Sequence, residues 1–247
     1  MRFPVALKIT NQKSLIANKI RELKPNINQS MKPLFIYCYD AYCSWCYGFS
    51  PTIRKIAERY ANRVSFEVLS GTMIDDENPV PIHLISPFFL KAYKEVEEKT
   101  GIRFGSDFLW HIENPNLSDW IIHSRKAAIA LCILKDLRPA DTLNLAADLQ
   151  TALFSEGRDL TDPEAYRHLL LQYDIDPSFF YEALNNEKYR RIAKQESQFI
   201  QDLHIEGFPT LLLQIDEKTI HLVSHGFESN DTIFRRLDDL LQQSGID

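Results

Sequence analysis

Leu34-Phe35-Ile36-Tyr37-Cys38-Tyr39-Asp40-Ala41-Tyr42-Cys43-Ser44-Trp45-Cys46 joins an apolar, strand-like run directly to a pair of cysteines two residues apart. A helix-like run, Ile53 to Tyr60, follows at once. Two thiols at a helix start can pass between dithiol and disulfide without rearranging the backbone. The unpaired N–H groups and dipole of the helix end also favour a thiolate there. The sequence strand, cysteine pair, helix therefore points to redox chemistry, which the two-cysteine spacing alone does not.

Beyond the motif, Arg63 to Leu69 reads as a second strand, because Val64, Phe66 and Val68 alternate with polar residues and Gly71 closes the run. Two strands flanking one helix make a βαβ unit. From Pro81 to His204 the signals are almost all helical. Ser86-Pro87 reads as a cap and first-turn proline with Gly101 as the stop, and Ser118 reads as the opening of a helix through Trp120, Ile121, Ala128 and Leu131. Asp141 to Phe154 is helical, ending at Gly157; Asp162-Pro163 and Asp176-Pro177 repeat the cap signature; Glu187 to Leu203 is the last helix of the block. Gly207-Phe208-Pro209-Thr210 then leads into a hairpin, Leu211 to Ile215 and Ile220 to Val223, turning at Asp216 to Lys218. Phe234, Leu237, Leu240 and Leu241 mark a C-terminal amphipathic helix. The expected fold is α/β, a four-stranded mixed sheet with a long all-helical insertion. Its sheet domain comprises residues 31–80 and 205–247, and the insertion is residues 81–204.

The 247 residues carry a net charge of −6, which argues against a general affinity for nucleic acid. No apolar stretch approaches the ~18 residues needed to span a bilayer. Residues 1–30 stand apart as basic and weakly amphipathic, with Leu15, Ile16, Ile20 and Leu23 at helical spacing. They read as a disordered extension, or as an over-called start with Met31 as the initiator; an organelle-targeting peptide is the alternative. Four cysteines without a secretory signal suggest a reducing compartment, here the cytoplasm.

The Cys-x-x-Cys after the first strand and the Gly-x-Pro-Thr before the third resemble the thioredoxin fold, and the helical insertion makes the chain similar to the DsbA family. Tyr42-Cys43-Ser44-Trp45-Cys46-Tyr47-Gly48-Phe49 resembles the predicted protein-disulfide isomerase, FrnE-like branch. The likeness covers about Pro33 to Leu241. It implies a thiol–disulfide oxidoreductase in which Cys43 attacks and Cys46 resolves, with Pro209 as a cis-proline lying against them. Ser44 and Trp45 replace the proline–histidine pair of strongly oxidising members, and the nearest basic residue in sequence is Arg54. A less oxidising couple follows, with isomerase or reductase roles open.

Trp45, Tyr42 and Phe208, with Pro209, are the expected surface for unfolded polypeptide, Trp45 being the exposed member; Tyr47 and Phe49 read equally as core or surface. Asp40 reads as a turn or capping residue, or a modulator of the thiols. Cys38, Cys43 and Cys46 also share an iron–sulfur spacing, but their fourth ligand would be the distant Cys132, whose apolar stripe marks it as a core thiol. Neither metal nor resident cofactor is expected. The expected partners are thiol- or disulfide-containing proteins and a redox partner or glutathione. The alternatives are a glutathione-linked transferase or isomerase of the kappa or chromene-carboxylate type, which generally has serine at the position of Cys43, and a non-enzymatic DsbA-like protease adaptor.

Overall fold

The computed structural model describes residues 32–74, 77–216 and 219–245; the expected N-terminal extension lies outside them, as does most of the hairpin turn. Strand β1 (Leu34–Tyr39) runs parallel to β2 (Ser65–Ser70), pairing Leu34 with Ser65 and Tyr39 with Ser70. Helix α1 (Ser44–Tyr60) makes the crossover between them. On its other side β1 pairs antiparallel with β5 (Thr210–Gln214), which turns back into β6 (Ile220–His225). The sheet order is β2-β1-β5-β6.

The period-two pattern of β1 sorts its side chains between two cores. Phe35, Tyr37 and Tyr39 join the large core with Ile53 and Ile56 of α1 and with Ile233 and Leu237 of the C-terminal helix α9 (Asn230–Gln243). Ile36 and Cys38 point to the opposite face, where Phe199 and Ile200 of α8 (Glu187–Asp202) cover them. Both faces are closed, as a sheet with a parallel βαβ unit requires.

Between β2 and β5 the chain builds α2 (Ile82–Thr100), α3 (Ser106–Glu113), α4 (Ser124–Leu137), α5 (Thr142–Phe154), α6 (Arg167–Gln172), α7 (Pro177–Ala183) and α8. The insertion is not purely helical, since the two-residue strands β3 (Val80–Pro81) and β4 (Ile121–Ile122) pair antiparallel across its base. Two helix starts differ from the sequence expectation. Helix α2 begins at Ile82, so Pro87 lies inside it, and Ser86 is no cap: its hydroxyl donates to Ile112 O at 2.6 Å. The stop is as read, with Gly101 left-handed at φ +77° and its N–H on Glu97 O. Ser118 opens no helix either. Its Oγ lies 2.7 Å from His111 Nδ1, Ile121–Ile122 goes into β4, and α4 starts at Ser124.

The insertion packs onto the sheet domain at a close approach. A Cβ on Gly48 of α1 would stand 2.7 Å from Val96 Cγ1 of α2, so only hydrogen fits between the helices. Pro51 also lies inside α1, and the Ser50 hydroxyl donates to Tyr47 O at 2.8 Å, the carbonyl that this proline cannot serve.

Candidate active site

The chain leaves β1 through a tight turn. Asp40 accepts Tyr42 N–H on its side chain at 2.9 Å and Cys43 N–H on its carbonyl at 3.1 Å. Cys43 then takes an extended conformation (φ −81°, ψ 106°) as the N-cap of α1. Its sulfur accepts the backbone N–H of Cys46 at 3.1 Å, the position usually filled by a serine or aspartate oxygen. Cys43 therefore sits at the positive end of the helix dipole, with a backbone donor aimed at Sγ. Both motif cysteines are free thiols and both are buried, Cys43 at 5% exposure and Cys46 at 0%. Burial pushes the Cys46 thiol well above its ordinary range, and the neighbouring Cys43 sulfur pushes it further. The two sulfurs are thus inequivalent: one caps the helix at the edge of the core, the other is held protonated behind it.

Asp40 ties the turn to two other parts of the fold. Its carboxylate accepts Met73 N–H at 2.8 Å and the Ser124 hydroxyl at 3.0 Å, and it is wholly buried. Burial raises its proton affinity, while Met73 N–H, Tyr42 N–H and the Ser124 hydroxyl pull it back. From the insertion, Gln150 Nε2 donates to Asp40 O at 3.1 Å and to Cys43 O at 3.2 Å.

The distant proline comes to the same end of the sheet. Thr210 of β5 pairs with Cys38 near the end of β1, so the residues just before Thr210 stand beside the Asp40–Cys43 turn. The Phe208–Pro209 peptide bond is cis, and Pro209 O accepts Gly226 N–H at 2.7 Å. The Phe208 ring is half-buried and lies over Gly71, where a Cβ would meet its Cζ at 2.2 Å.

The aromatic rim differs from the sequence expectation. Trp45 is half-buried, not exposed, because its ring packs 5.9 Å from that of Phe227, with Lys99 Nζ 5.5 Å from its centroid. Tyr42 is buried at 1% exposure and cannot offer a surface to a client in this state; burial pushes its phenol far up. Tyr47 and Phe49 are both core residues. Cys38 and Cys132 are buried thiols in the two cores, and among the described residues no group of three or more His, Cys, Asp or Glu side chains converges to hold a metal. Phe227, Gln150 and Ser124 were not singled out from sequence. Gly226 before Phe227 hints at a strand end, but nothing local links Gln150 to a motif 107 residues away.

A model of the DSBA-like thioredoxin domain matches residues 36–238. The chain belongs to this family. A crystal structure from Nitrosomonas europaea, provisionally described as a protein disulfide isomerase, is 22% identical, with a TM-score of 0.76, over 86% of this chain and 99% of that one. The cytosolic disulfide reductase DsbM from Pseudomonas aeruginosa is 23% identical, with a TM-score of 0.62, over 85% and 99%. The oxidoreductase NmDsbA1 from Neisseria meningitidis is 14% identical, with a TM-score of 0.51, over 88% and 86%. At these identities the likeness is one of fold. No curated protein matches the chain. Among the described residues no helix is long and apolar enough to cross a membrane.

Proposed function

We propose that this member of the DSBA-like family carries out thiol–disulfide exchange through Cys43 and Cys46, acting as a reductase or isomerase on protein disulfides. The observation that carries this is the Cys46 N–H donated to Cys43 Sγ at 3.1 Å, with Cys46 wholly buried behind it. A sulfur in that position has a backbone donor and the positive end of the helix dipole aimed at it, and a buried partner is shielded until a mixed disulfide brings the reaction to it.

The Cys43 thiolate attacks a client disulfide; one new S–S bond forms and the client's other sulfur leaves as a thiolate and takes up a proton. Cys46 then loses its proton and attacks Cys43 Sγ, forming the Cys43–Cys46 bond and releasing the client's second thiol. Two electrons pass to the client in the complete cycle. A dithiol partner or two glutathione molecules return the pair to the reduced state. Stopping at the mixed disulfide and reversing on a different client sulfur gives isomerisation.

Phe208 and Trp45, joined by Phe227, form the client surface in this reading, with the buried cis-Pro209 shaping the backbone beneath it. An extended segment would lie along the backbone at Phe208 by strand addition. The motif contains no cation to hold the thiolate more strongly, which supports a couple less oxidising than a dedicated disulfide donor. The four buried free thiols are compatible with a reducing compartment and a cytoplasmic setting. The similar Pseudomonas protein is a cytosolic disulfide reductase and has been solved with GSH, so glutathione is a reasonable candidate reductant.

The test is trapping. Cys46→Ser mixed with a disulfide-containing client such as insulin should accumulate a covalent adduct through Cys43, dissolved by dithiothreitol, and Cys43→Ser should form none. An adduct that instead required Cys46, or no adduct with either variant, would overturn the assignment. Glutathione conjugation of a small electrophile that survives Cys46→Ser without insulin reduction by the unaltered protein would favour the transferase alternative.

A further inference from the structure

Gln150 is a polar side chain where an apolar one would be expected. It lies at 1% exposure in α5 among Leu149, Ala146, Leu153 and Phe154, all buried. An amide in such surroundings is costly unless its hydrogen bonds are made. Its Nε2 makes two, to Asp40 O and Cys43 O, the carbonyls at either end of the turn that presents Cys43.

Neither carbonyl needs Gln150 to escape being orphaned. Asp40 O already accepts Cys43 N–H and Cys43 O already accepts Tyr47 N–H, each at 3.1 Å. The second donor therefore does something other than satisfy a buried acceptor. It fixes the separation of the two carbonyls and with it the extended backbone that lets Cys43 Sγ cap the helix. It also aims the positive end of an amide dipole at the Cys43 backbone. Charged groups near this turn include the Asp40 carboxylate, buried within it, Asp159, whose charge acts on Tyr42, and Lys99, out at the rim over Trp45. A neutral donor held by the insertion thus stands where the motif has no cation of its own.

We propose that Gln150 is a positioning residue for the Cys43–Cys46 couple, its amide holding the turn so that the reduced pair, with Cys43 Sγ on the helix N-terminus, is favoured over the disulfide. This rests on the exchange reading above. It assigns the helical insertion a part in setting the redox balance, beyond covering the sheet.

The experiment compares the unaltered chain with Gln150→Met, which keeps the volume and removes the donors. Each is equilibrated with glutathione, where dithiol protein and glutathione disulfide exchange two electrons and two protons to give disulfide protein and two glutathione thiols. Loss of a hydrogen-bonding contribution of ordinary size shifts that equilibrium about threefold to tenfold toward the protein disulfide. The alkylation rate of Cys43 at pH 7 should fall by a similar factor. A purely structural role gives the opposite sign in the second readout, because a loosened turn exposes Cys43 and speeds alkylation. Should Gln150→Met fail to fold, the unaltered protein still decides the matter. The Gln150 side-chain amide resonances must differ between dithiol and disulfide forms; identical resonances overturn the proposal. So do an unchanged equilibrium or faster alkylation in the variant. If the unaltered chain forms no Cys43–Cys46 disulfide in glutathione buffers, the exchange reading itself has failed, a result distinct from a normal couple that ignores position 150.

Discussion

Replacing Lys135 by methionine should cost this protein about 3–5 kcal/mol, as removal of one partner from a buried ion pair generally does. Lys135 projects from α4 into the space between the insertion and the sheet, at 7% exposure. Its Nζ donates to Glu196 Oε1 at 2.5 Å, to Val68 O at 2.7 Å and to Glu67 Oε1 at 3.3 Å. Burial by itself would lower the proton affinity of this amine, but the two carboxylates outweigh it and the net direction is upward, so the amine stays charged throughout the neutral range. Methionine of similar length would leave Glu196 buried, with the Ser70 N–H at 3.0 Å and the Cys132 thiol as its hydrogen-bond partners. Against a total stability of ~5–15 kcal/mol, that loss is a large fraction. The Lys188–Asp136 pair provides the contrast: it is 2.6 Å long, yet both side chains are about half exposed. Water and salt screen it, and Lys188→Met should cost ~0–1 kcal/mol. Burial, not distance, separates the two cases. The assay is urea unfolding of each variant, with the double variant Lys135→Met/Glu196→Met recovering a substantial part of the loss because it removes the stranded carboxylate. A Lys135→Met loss below about 1 kcal/mol, or no recovery in the double variant, would show the reasoning to be wrong.

Two further outcomes follow from the structure. Gly71→Ala puts a methyl 2.2 Å from Phe208 Cζ, so the ring must swing outward; because Phe208 is half-buried and can move, stability should fall by only about 1–3 kcal/mol, while insulin reduction shows a raised KM. An unchanged KM would remove Phe208 from the client surface. His111, stacked on Trp120 at 3.9 Å, has its proton affinity lowered by burial despite Asp119, Asp159 and Asp107 nearby. Between its folded value and the ordinary histidine value of ~6.5 the unfolded chain binds the extra proton, so His111 makes stability fall as pH drops through that window. The difference in urea midpoint between pH 7.5 and 5.5 should therefore be smaller in His111→Gln than in the unaltered chain; an equal difference would contradict this.

Much of the architecture was legible because it is written in short-range patterns. The apolar run of β1, the alternation in β2, the cap-and-proline signatures at Asp162 and Asp176, and the stop at Gly101 are local, and the structure uses each of them. Ser86-Pro87 misled because a proline can sit inside a helix whose start is fixed by tertiary contacts, here the pairing of Pro81 with Ile121 and the Ser86 bond to Ile112. Ser118 misled because a hydroxyl beside a histidine has another use for its hydrogen bonds. At the site, the cysteine pair and the proline were visible as motifs. Trp45 could not be placed from sequence, since its partner Phe227 lies in a loop 182 positions away, between β6 and α9. Tyr42 was misjudged because a turn residue can still face inward when an insertion covers it. The polar anchors Gln150 and Ser124 carry no sequence signature at all; each looks like an ordinary helix residue until the fold brings it to the Asp40 turn.

That Cys43 and Cys46 work as one redox couple is open to a single decisive titration. The purified chain is equilibrated across a series of glutathione ratios, with the oxidation state read by Trp45 fluorescence and the pairing by mass spectrometry. The expected result is one two-electron transition that joins Cys43 to Cys46, leaves Cys38 and Cys132 reduced, and falls at a less oxidising potential than the ≈ −120 mV of DsbA. Separate glutathionylation of the two cysteines, each consuming one glutathione disulfide and releasing one glutathione thiol, with no bond between Cys43 and Cys46, would contradict it.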